Sequence, residues 1–250
     1  MALPGIERPT ALVTGAARRI GRAIATLLAR RGYDVAIHYQ ASRGDALEAV
    51  GEVEALGARS MAFSADLAKF EDLEALIPAI THVLGHPSCL VNNASVFRHD
   101  TITTTIPDTW SAHLDVNLRA PVFLAQAMAR NLPIGIDGNV INIIDQRILR
   151  LTPDFFSYTL SKAGLWVATQ TMAQAFAPRI RVNAIAPGPT LRSVHQSDAE
   201  FAAECAATLL KRGSNPQEIA AAVGFILDAP ALTGQLIALD GGQHLAQTPA

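Results

Sequence analysis

Two side chains four positions apart, Tyr158 and Lys162, carry the sharpest chemical signal in the sequence. On a helix that spacing stacks them on one face. A free phenol titrates near pKa ~10, too high for ready proton exchange at neutral pH. A neighbouring ammonium favours the phenolate and makes Tyr158 a usable general acid or base. Tyrosine and lysine at this spacing also occur on ordinary solvated helix faces, so the pair gains meaning only from its surroundings. One such surrounding is Asp145, at the end of the apolar run Val140-Ile141-Asn142-Ile143-Ile144. A carboxyl group there can hydrogen-bond to Tyr158. If a closed apolar pocket raises its pKa, it becomes a proton reservoir, a rise that Lys162 opposes.

These groups need elements to hold them. Short apolar runs at Ala11–Val13, Val35–Ile37, Met61–Phe63, Leu90–Val91, Val140–Ile144, Ile180–Ile185 and Leu236–Leu239 alternate with longer stretches of helical period. Ile20, Ile24, Leu27 and Leu28 form one such stretch, and Leu73, Leu76, Ile77 and Ile80 another. Nearly continuous apolar strands separated by helices predict a parallel sheet covered on both faces. With no linker and no internal repeat, residues 1–250 read as one doubly wound Rossmann-type α/β domain with a seven-stranded parallel sheet. Asn215-Pro216-Gln217-Glu218 supplies a cap, a proline at the first helical position and an acid at the third, a strong helix start.

Gly188 to Ser214 is the longest weakly patterned stretch. Segments of that length inside a compact domain are commonly functional. It reads as a lid over a pocket, with a plain surface insertion as the alternative. Its middle, Asp198 to Lys211, can form a short helix with Phe201, Cys205, Leu209 and Leu210 facing inward. Trp110 and Trp166 sit in helical patterns and read as packing residues.

The first strand runs into Thr14-Gly15-Ala16-Ala17-Arg18-Arg19-Ile20-Gly21 and then directly into a helix. Small residues let backbone approach a pyrophosphate, and the helix N-terminus offers unpaired N–H groups at its positive end. The second strand ends His38-Tyr39-Gln40-Ala41-Ser42-Arg43, with no acid until Asp45. An acid there would bind the ribose hydroxyls of NAD and repel an added phosphate. Ser42 can instead donate to a 2′-phosphate, and Arg43 with Arg19 can neutralise it. The expected cofactor is NADPH.

Composition excludes other classes. The net charge of -2, without a basic run, argues against nucleic acid as the main partner. Cys89 and Cys205, the two cysteines, are too few and too far apart for a disulfide framework or a zinc cluster, and the seven histidines show no metal-ligand spacing. No apolar run reaches the ~18 residues of a membrane span. Met1 to Arg8 lacks the apolar core of a secretory signal. A soluble, cytoplasmic protein without a metal is expected.

The motifs Thr14-Gly15…Gly21, Ala65-Asp66-Leu67, Asn92-Asn93-Ala94, Asn117, Tyr158…Lys162 and Pro187-Gly188 occur in family order. With them the chain resembles a short-chain dehydrogenase/reductase over nearly its whole length. The resemblance implies cofactor contacts from Gly15, Arg19, Ile20, Gly21, His38 and Tyr39. It adds Asp66 and Leu67 beside the adenine, Asn93, Ala94 and Ser95 along the groove, and Pro187 and Gly188. It also makes Asn117 a helix-kinking residue that helps hold a proton-relay water, and gives Lys162 a second role on the nicotinamide ribose. The sequence departs from the common pattern at Arg19, in place of the turn's middle glycine, and at Asp145, in place of a serine. Both departures, with Asn93-Ala94-Ser95-Val96-Phe97, His38-Tyr39…Ser42 and the ending Leu239-Asp240-Gly241-Gly242-Gln243-His244-Leu245, resemble pteridine reductases and dihydromonapterin/dihydrofolate reductases.

That subgroup implies NADPH-dependent reduction of a pterin or folate, with Arg19, Ser95, Phe97, Asp145 and Tyr158 meeting the substrate. Phe97, following Asn-Asn-Ala-Ser at a strand's C-terminal edge, would stack a flat heterocycle against the nicotinamide. Alternatives are a carbonyl reductase acting on a 3-oxoacyl thioester and a non-catalytic dinucleotide sensor. Intact Tyr158, Lys162 and Asn117 count against the sensor. The helices around Asn117–Leu132 and Ser157–Phe176 resemble those that pair subunits in the family, and both carry apolar positions on more than one face. A homotetramer is expected. In some relatives the C-terminal tail carries an arginine to a neighbour's pocket, where this chain has Gln247.

Overall fold

The seven apolar runs form β1 (Thr10–Val13), β2 (Asp34–Tyr39), β3 (Ser60–Ser64), β4 (Pro87–Asn92), β5 (Gly138–Ile143), β6 (Ile180–Pro187) and β7 (Leu236–Leu239). In this computed structural model, which describes residues 8–193 and 196–246, they pair in parallel in the order β3-β2-β1-β4-β5-β6-β7. The expected doubly wound, seven-stranded parallel sheet is present. Met1 to Ile6, Glu7, Val194, His195 and Gln247, on which expectations about the leader, the lid and the tail partly fell, lie outside the described residues.

Burial explains the pattern of the runs. All four residues of β1 and five of six in β2 are buried, because helices cover both faces of a parallel sheet. On one face α1 (Arg19–Arg30) and α8 (Pro216–Asp228) pack Ile24, Leu28, Ile219 and Val223 against β1, β2 and β5. On the other, α3 (Phe70–Leu84) and α5 (Ala120–Asn131) bring Leu73, Ile77, Ile80, Leu124 and Met128 together over Leu12 and Leu90. α2 (Arg43–Glu54) flanks the β2–β3 side, and α6 (Phe156–Phe176) lies along β6. The strong start foreseen for α8 is a capping box: the Asn215 side chain accepts from Glu218 N–H, and the Glu218 carboxylate accepts from Asn215 N–H, both at 2.9 Å.

The lid segment differs in detail from expectation. Its helix, α7, spans Asp198–Ala207 and stops short of Lys211. Thr208 is fully buried and its hydroxyl accepts from Arg212 N–H at 3.1 Å, so the chain turns there, with Lys211 left-handed at φ 57°. Leu209 and Leu210 are consequently exposed rather than inward; Phe201 and Cys205 are half-buried. Trp166 packs beside Leu165, whereas Trp110 is 38% exposed on α4 (Pro107–Leu114).

Between α4 and α5 the helix passes through one π-helical turn, Asp115–Arg119, centred on Asn117. An extra residue in the turn shifts the register of everything after it, and such turns concentrate at functional sites.

At the β1–α1 turn the buried His38 holds two segments. Its Nδ1 accepts from Gly15 N–H at 3.0 Å, so Nε2 carries the proton and donates to Ala65 O at 3.1 Å. Burial pushes the His38 pKa from 6.5 down to about 4. Because the folded value is depressed, the contribution to stability is complete above pH 6.5 and is lost as pH falls towards about 4. The linked loss is about 3 kcal/mol. His38→Asn should remove most of that dependence, so denaturant unfolding of both proteins at pH 7 and pH 4.5 should show a smaller acid loss for the variant.

Candidate active site

β1 lies between β2 and β4, where the strand order reverses, and doubly wound sheets open a crevice at the carboxyl ends of such strands. Here the crevice is a cavity of about 1020 Å³, and one wall runs from Gly15 to Gly21. The first turn of α1 contains no acid, and Arg18 makes no side-chain cap, so its leading N–H groups face the cavity without a protein partner. Gly15 is left-handed (φ 62°), and a Cβ on Gly21 would lie 2.6 Å from the Asn93 amide nitrogen. Asn93 in turn donates to Thr14 O at 2.8 Å and to Gly15 O at 3.2 Å. The turn is therefore pinned from β4 and open towards the cavity, a donor set suited to a dinucleotide's phosphates.

Further along, the wall is His38, Gln40, Asp66 and Leu67, then Ala94 and Ser95, with Pro187 and Gly188 opposite. Three expected cofactor residues are not brought to it. Tyr39 alternates to the other side of β2 and packs into the core, because successive strand side chains point to opposite faces. Ser42 and Arg43 sit where α2 begins, away from the cavity wall, and Arg43 is exposed. Another cation on this part of the wall is Arg18, which the sequence reading passed over; it pairs with Asp45. Arg19 is also on the wall, but its guanidinium donates to Leu191 O and Arg192 O at 3.1 and 3.2 Å, tying the first turn of α1 to the lid. Its backbone is left-handed (φ 54°), a conformation that glycine, usual at this position, adopts without strain.

At the other end stand Tyr158, Asp145 and Lys162. Tyr158, 5% exposed, donates its hydroxyl hydrogen to Asp145 Oδ2 at 2.9 Å. Asp145 Oδ1 accepts from Arg147 N–H at 2.8 Å, capping a short 3₁₀ turn and fixing the carboxyl plane. Lys162 donates to Ile143 O at 2.9 Å and lies 5.8 Å from the Tyr158 ring centre. Asn117, fully buried, donates to Val96 O (2.9 Å) and Ser161 Oγ (3.2 Å), and its oxygen accepts from Val96 N–H (2.8 Å) and Ser95 Oγ (3.2 Å). Its side chain thus joins the end of β4 to α6.

The electrostatics reverse one expectation. Lys162 does not bring the Tyr158 pKa down: burial, then the charge of Asp145 and then their hydrogen bond raise it well above the ordinary value, against the opposing charge of Arg147. Asp145 touches the phenol, whereas Lys162 is more distant and spends a hydrogen bond on Ile143. Burial also lowers Lys162 to about 8 and raises Asp145, against the Arg147 backbone bond and the charges of Arg147 and Lys162. Phenol and carboxyl thus each hold a proton to higher pH than the free groups do.

Phe97 is on the cavity wall, half-buried. One of its faces is already covered by Phe155, with ring centres 4.3 Å apart and planes 8° from parallel, and its ring meets Tyr158 edge-on at 4.7 Å. Arg147 stands 4.6 Å from the Phe155 ring centre. Neither Phe155 nor Arg147 was singled out by sequence reasoning, since no short motif marks them. From the lid, Gln196, Phe201 and Glu204 close the same cavity. Glu204 accepts from Gln196 at 2.7 Å and from Gln243 at 2.9 Å, which fastens α7 to the C-terminal end of the chain.

A crevice at the strand-order switch, an uncapped glycine turn and a Tyr–Lys pair define a dinucleotide-dependent oxidoreductase architecture. The family model described as Enoyl-(Acyl carrier protein) reductase matches residues 15–244, and the chain belongs to that family, among the short-chain dehydrogenases/reductases. The 3-oxoacyl-[acyl-carrier-protein] reductase FabG of Staphylococcus epidermidis is 32% identical over 94% of this chain and 99% of its own. Among solved structures, FolM alternative dihydrofolate reductase 1 from Brucella suis, in complex with NADP, is 44% identical with a TM-score of 0.94, covering 98% of each chain. A short-chain dehydrogenase from Burkholderia cenocepacia in complex with NADP is 34% identical with a TM-score of 0.88, over 95% of this chain and 97% of that one. Among the described residues no helix is long and apolar enough to cross a membrane, and no group of three or more His, Cys, Asp or Glu is placed to hold a metal.

If Asp145 holds the phenol up, Asp145→Ser should lower the Tyr158 pKa. An ultraviolet difference titration against Tyr158→Phe isolates that phenol from Tyr33 and Tyr39, and its midpoint should move to lower pH in the serine variant.

Proposed function

We propose that this chain is an NADPH-dependent reductase of dihydropterins, converting a dihydrobiopterin, dihydromonapterin or dihydrofolate to its tetrahydro form. The observation that carries this reading is the carboxyl of Asp145 at 2.9 Å from the Tyr158 hydroxyl. Carbonyl reduction builds negative charge on oxygen, which a neutral hydroxyl donor stabilises and a carboxylate repels. Reduction of a C=N bond instead requires a proton on nitrogen as the carbon accepts hydride. A phenol and a carboxyl that share a hydrogen bond, each with its pKa raised, suit that delivery. The likeness to FolM at 44% identity supports the same reading, while the likeness to FabG keeps reduction of a 3-oxoacyl thioester as the second one.

The cavity fits the cofactor. The α1 turn, from Gly15 to Gly21, would hold the pyrophosphate, Asp66 and Leu67 the adenine end, and Ala94, Gly188 and Lys162 the nicotinamide half. NADPH, when bound, supplies the hydride. β2 ends without an acid, and Arg18 and Arg19 stand on the wall, which supports preference for a 2′-phosphate. Tyr158 and Asp145 hold the transferable proton, Lys162 anchors the α6 side to Ile143, Asn117 keeps Ser95 in place, and Phe97 offers a ring wall to a flat substrate. One domain working as a homotetramer completes the proposal. Leu160 and Val167 on α6 are 42% and 58% exposed, as a subunit-pairing face requires. Light scattering should give four times the 26.5 kDa chain mass, and a monomeric mass removes that part.

The deciding experiment is an NADPH-oxidation panel over dihydrobiopterin, dihydromonapterin, dihydrofolate and an acetoacetyl thioester, with NADH as comparison. At least one pterin should be turned over with much greater efficiency than the thioester, and NADPH should outperform NADH. Asp145→Ser should lose most pterin turnover, retain NADPH binding and shift residual activity towards carbonyl substrates. Undiminished pterin turnover in that variant would remove Asp145 from the mechanism, and turnover of the thioester but of no pterin by the unaltered protein would assign it to carbonyl reduction.

A further inference from the structure

Beneath the cavity wall lies a buried hydrogen-bond chain outside the catalytic machinery described above. His113, on α4, and Ser157, in the first turn of α6, are completely buried, and Asp100 is 2% exposed. His113 Nε2 accepts from Arg98 N–H at 3.1 Å, and Nδ1 lies 2.7 Å from Ser157 Oγ. The Ser157 hydroxyl donates to the Asp100 carboxylate in a very short contact, and Ser157 N–H donates to Asp100 Oδ1 at 3.1 Å. With its only hydroxyl proton given to Asp100, Ser157 must accept from His113 Nδ1–H. Nε2, accepting from an amide, carries no proton. The imidazole is therefore neutral, in its Nδ1–H tautomer. Burial, with the charges of Arg98 and Lys162, pushes its pKa down against the pull of Asp100.

The chain joins the segments that the reaction must keep in register. α6 begins at Phe155, left-handed at φ 56° and without a side-chain cap. Asp100 supplies what is missing from another part of the chain: its carboxylate accepts from Ser157 N–H and its carbonyl from Phe156 N–H at 3.2 Å, at the positive end of the helix that carries Tyr158. The other arm of His113 holds Arg98, the residue after Phe97. Its ring also meets Tyr158 edge-on at 5.8 Å.

We propose that His113 is a positioning residue with two separable tasks, the Nδ1 arm setting Tyr158 through Ser157 and the Nε2 arm setting the Phe97 wall through Arg98. A histidine filling a core volume would have no such division. The proposal needs only a reductase that uses Tyr158, not a pterin, so its failure is distinct from failure of the substrate assignment.

Asparagine keeps an amide near the Nδ1 position and glutamine near the Nε2 position, so the arms can be cut one at a time. Kinetics are measured on whichever panel substrate the wild-type protein reduces, with NADPH affinity by fluorescence titration as the check on folding. His113→Asn should raise KM by about five- to tenfold, the effect of one lost buried hydrogen bond, with kcat within about twofold. His113→Gln should lower kcat by about the same factor with KM nearly constant. Ser157→Ala should behave as His113→Gln does. If no substrate is turned over, the Tyr158 ultraviolet titration serves instead, shifting in His113→Gln and Ser157→Ala but not in His113→Asn. Equal changes in kcat and KM in both histidine variants, no change in either, or loss of NADPH binding in both would overturn the proposal and leave His113 an ordinary core residue.

Discussion

A buried phenol cannot be left without a hydrogen-bond partner, and the partner that this fold provides is a carboxyl group. The Tyr158–Asp145 bond governs much of what surrounds it. Burial raises the pKa of both groups; the charge of Asp145 adds to the rise at Tyr158, whereas the hydrogen bond that Tyr158 donates pulls Asp145 the other way. Such a pair is tolerated only where both groups are held from outside. Asp145 is fixed by the Arg147 backbone, and Tyr158 by a helix that starts at a strained residue and is capped from another segment. Lys162 sits close enough to keep the local charge balanced, but its bond to Ile143 O places it as an anchor between α6 and β5.

The sheet places this pair where a ligand can meet it. β1 and β4 pair side by side at the strand-order switch, and the same edge carries the glycine turn, Asn93 and the end of β5. His38 braces the turn from β2, Asn93 braces it from β4, and Arg19 ties it to the lid. The glycine-turn end of the cavity is thus built from backbone held by side chains, whereas the Tyr158 end is built from side chains held by backbone. The π-helical turn at Asn117 connects the two, since its amide binds Ser95 and Val96 on one side and Ser161 on the other.

Long-range pairing also accounts for what carries charge into the cavity. Glu204 is shared between Gln196 and Gln243, so an acid of the lid is held by hydrogen bonds from two amides. Arg147 is set over the Phe155 ring, 4.6 Å from its centre.

The sequence by itself determined the seven strands, the flanking helices and the capping box of α8. Periodicity and local motifs are properties of neighbouring residues. Gly15, Gly21, Asn93, Asp145, Tyr158 and Lys162 were legible because each belongs to a short motif whose spacing survives folding unchanged. Only the tertiary structure decided which side chains meet across the cavity. Ser42 and Arg43 follow the strand end in sequence, yet the start of α2 carries them off the wall, while Arg18, from the other side of the turn, takes the place. Leu209 and Leu210 continue a helical pattern that Thr208 interrupts by a bond formed four residues ahead. Phe155 stacks on Phe97, and Asp100 caps a helix 57 positions further on. The direction of the Tyr158 shift is of the same kind. It depends on the 2.9 Å between two oxygens from different elements, a distance that no spacing along the chain encodes.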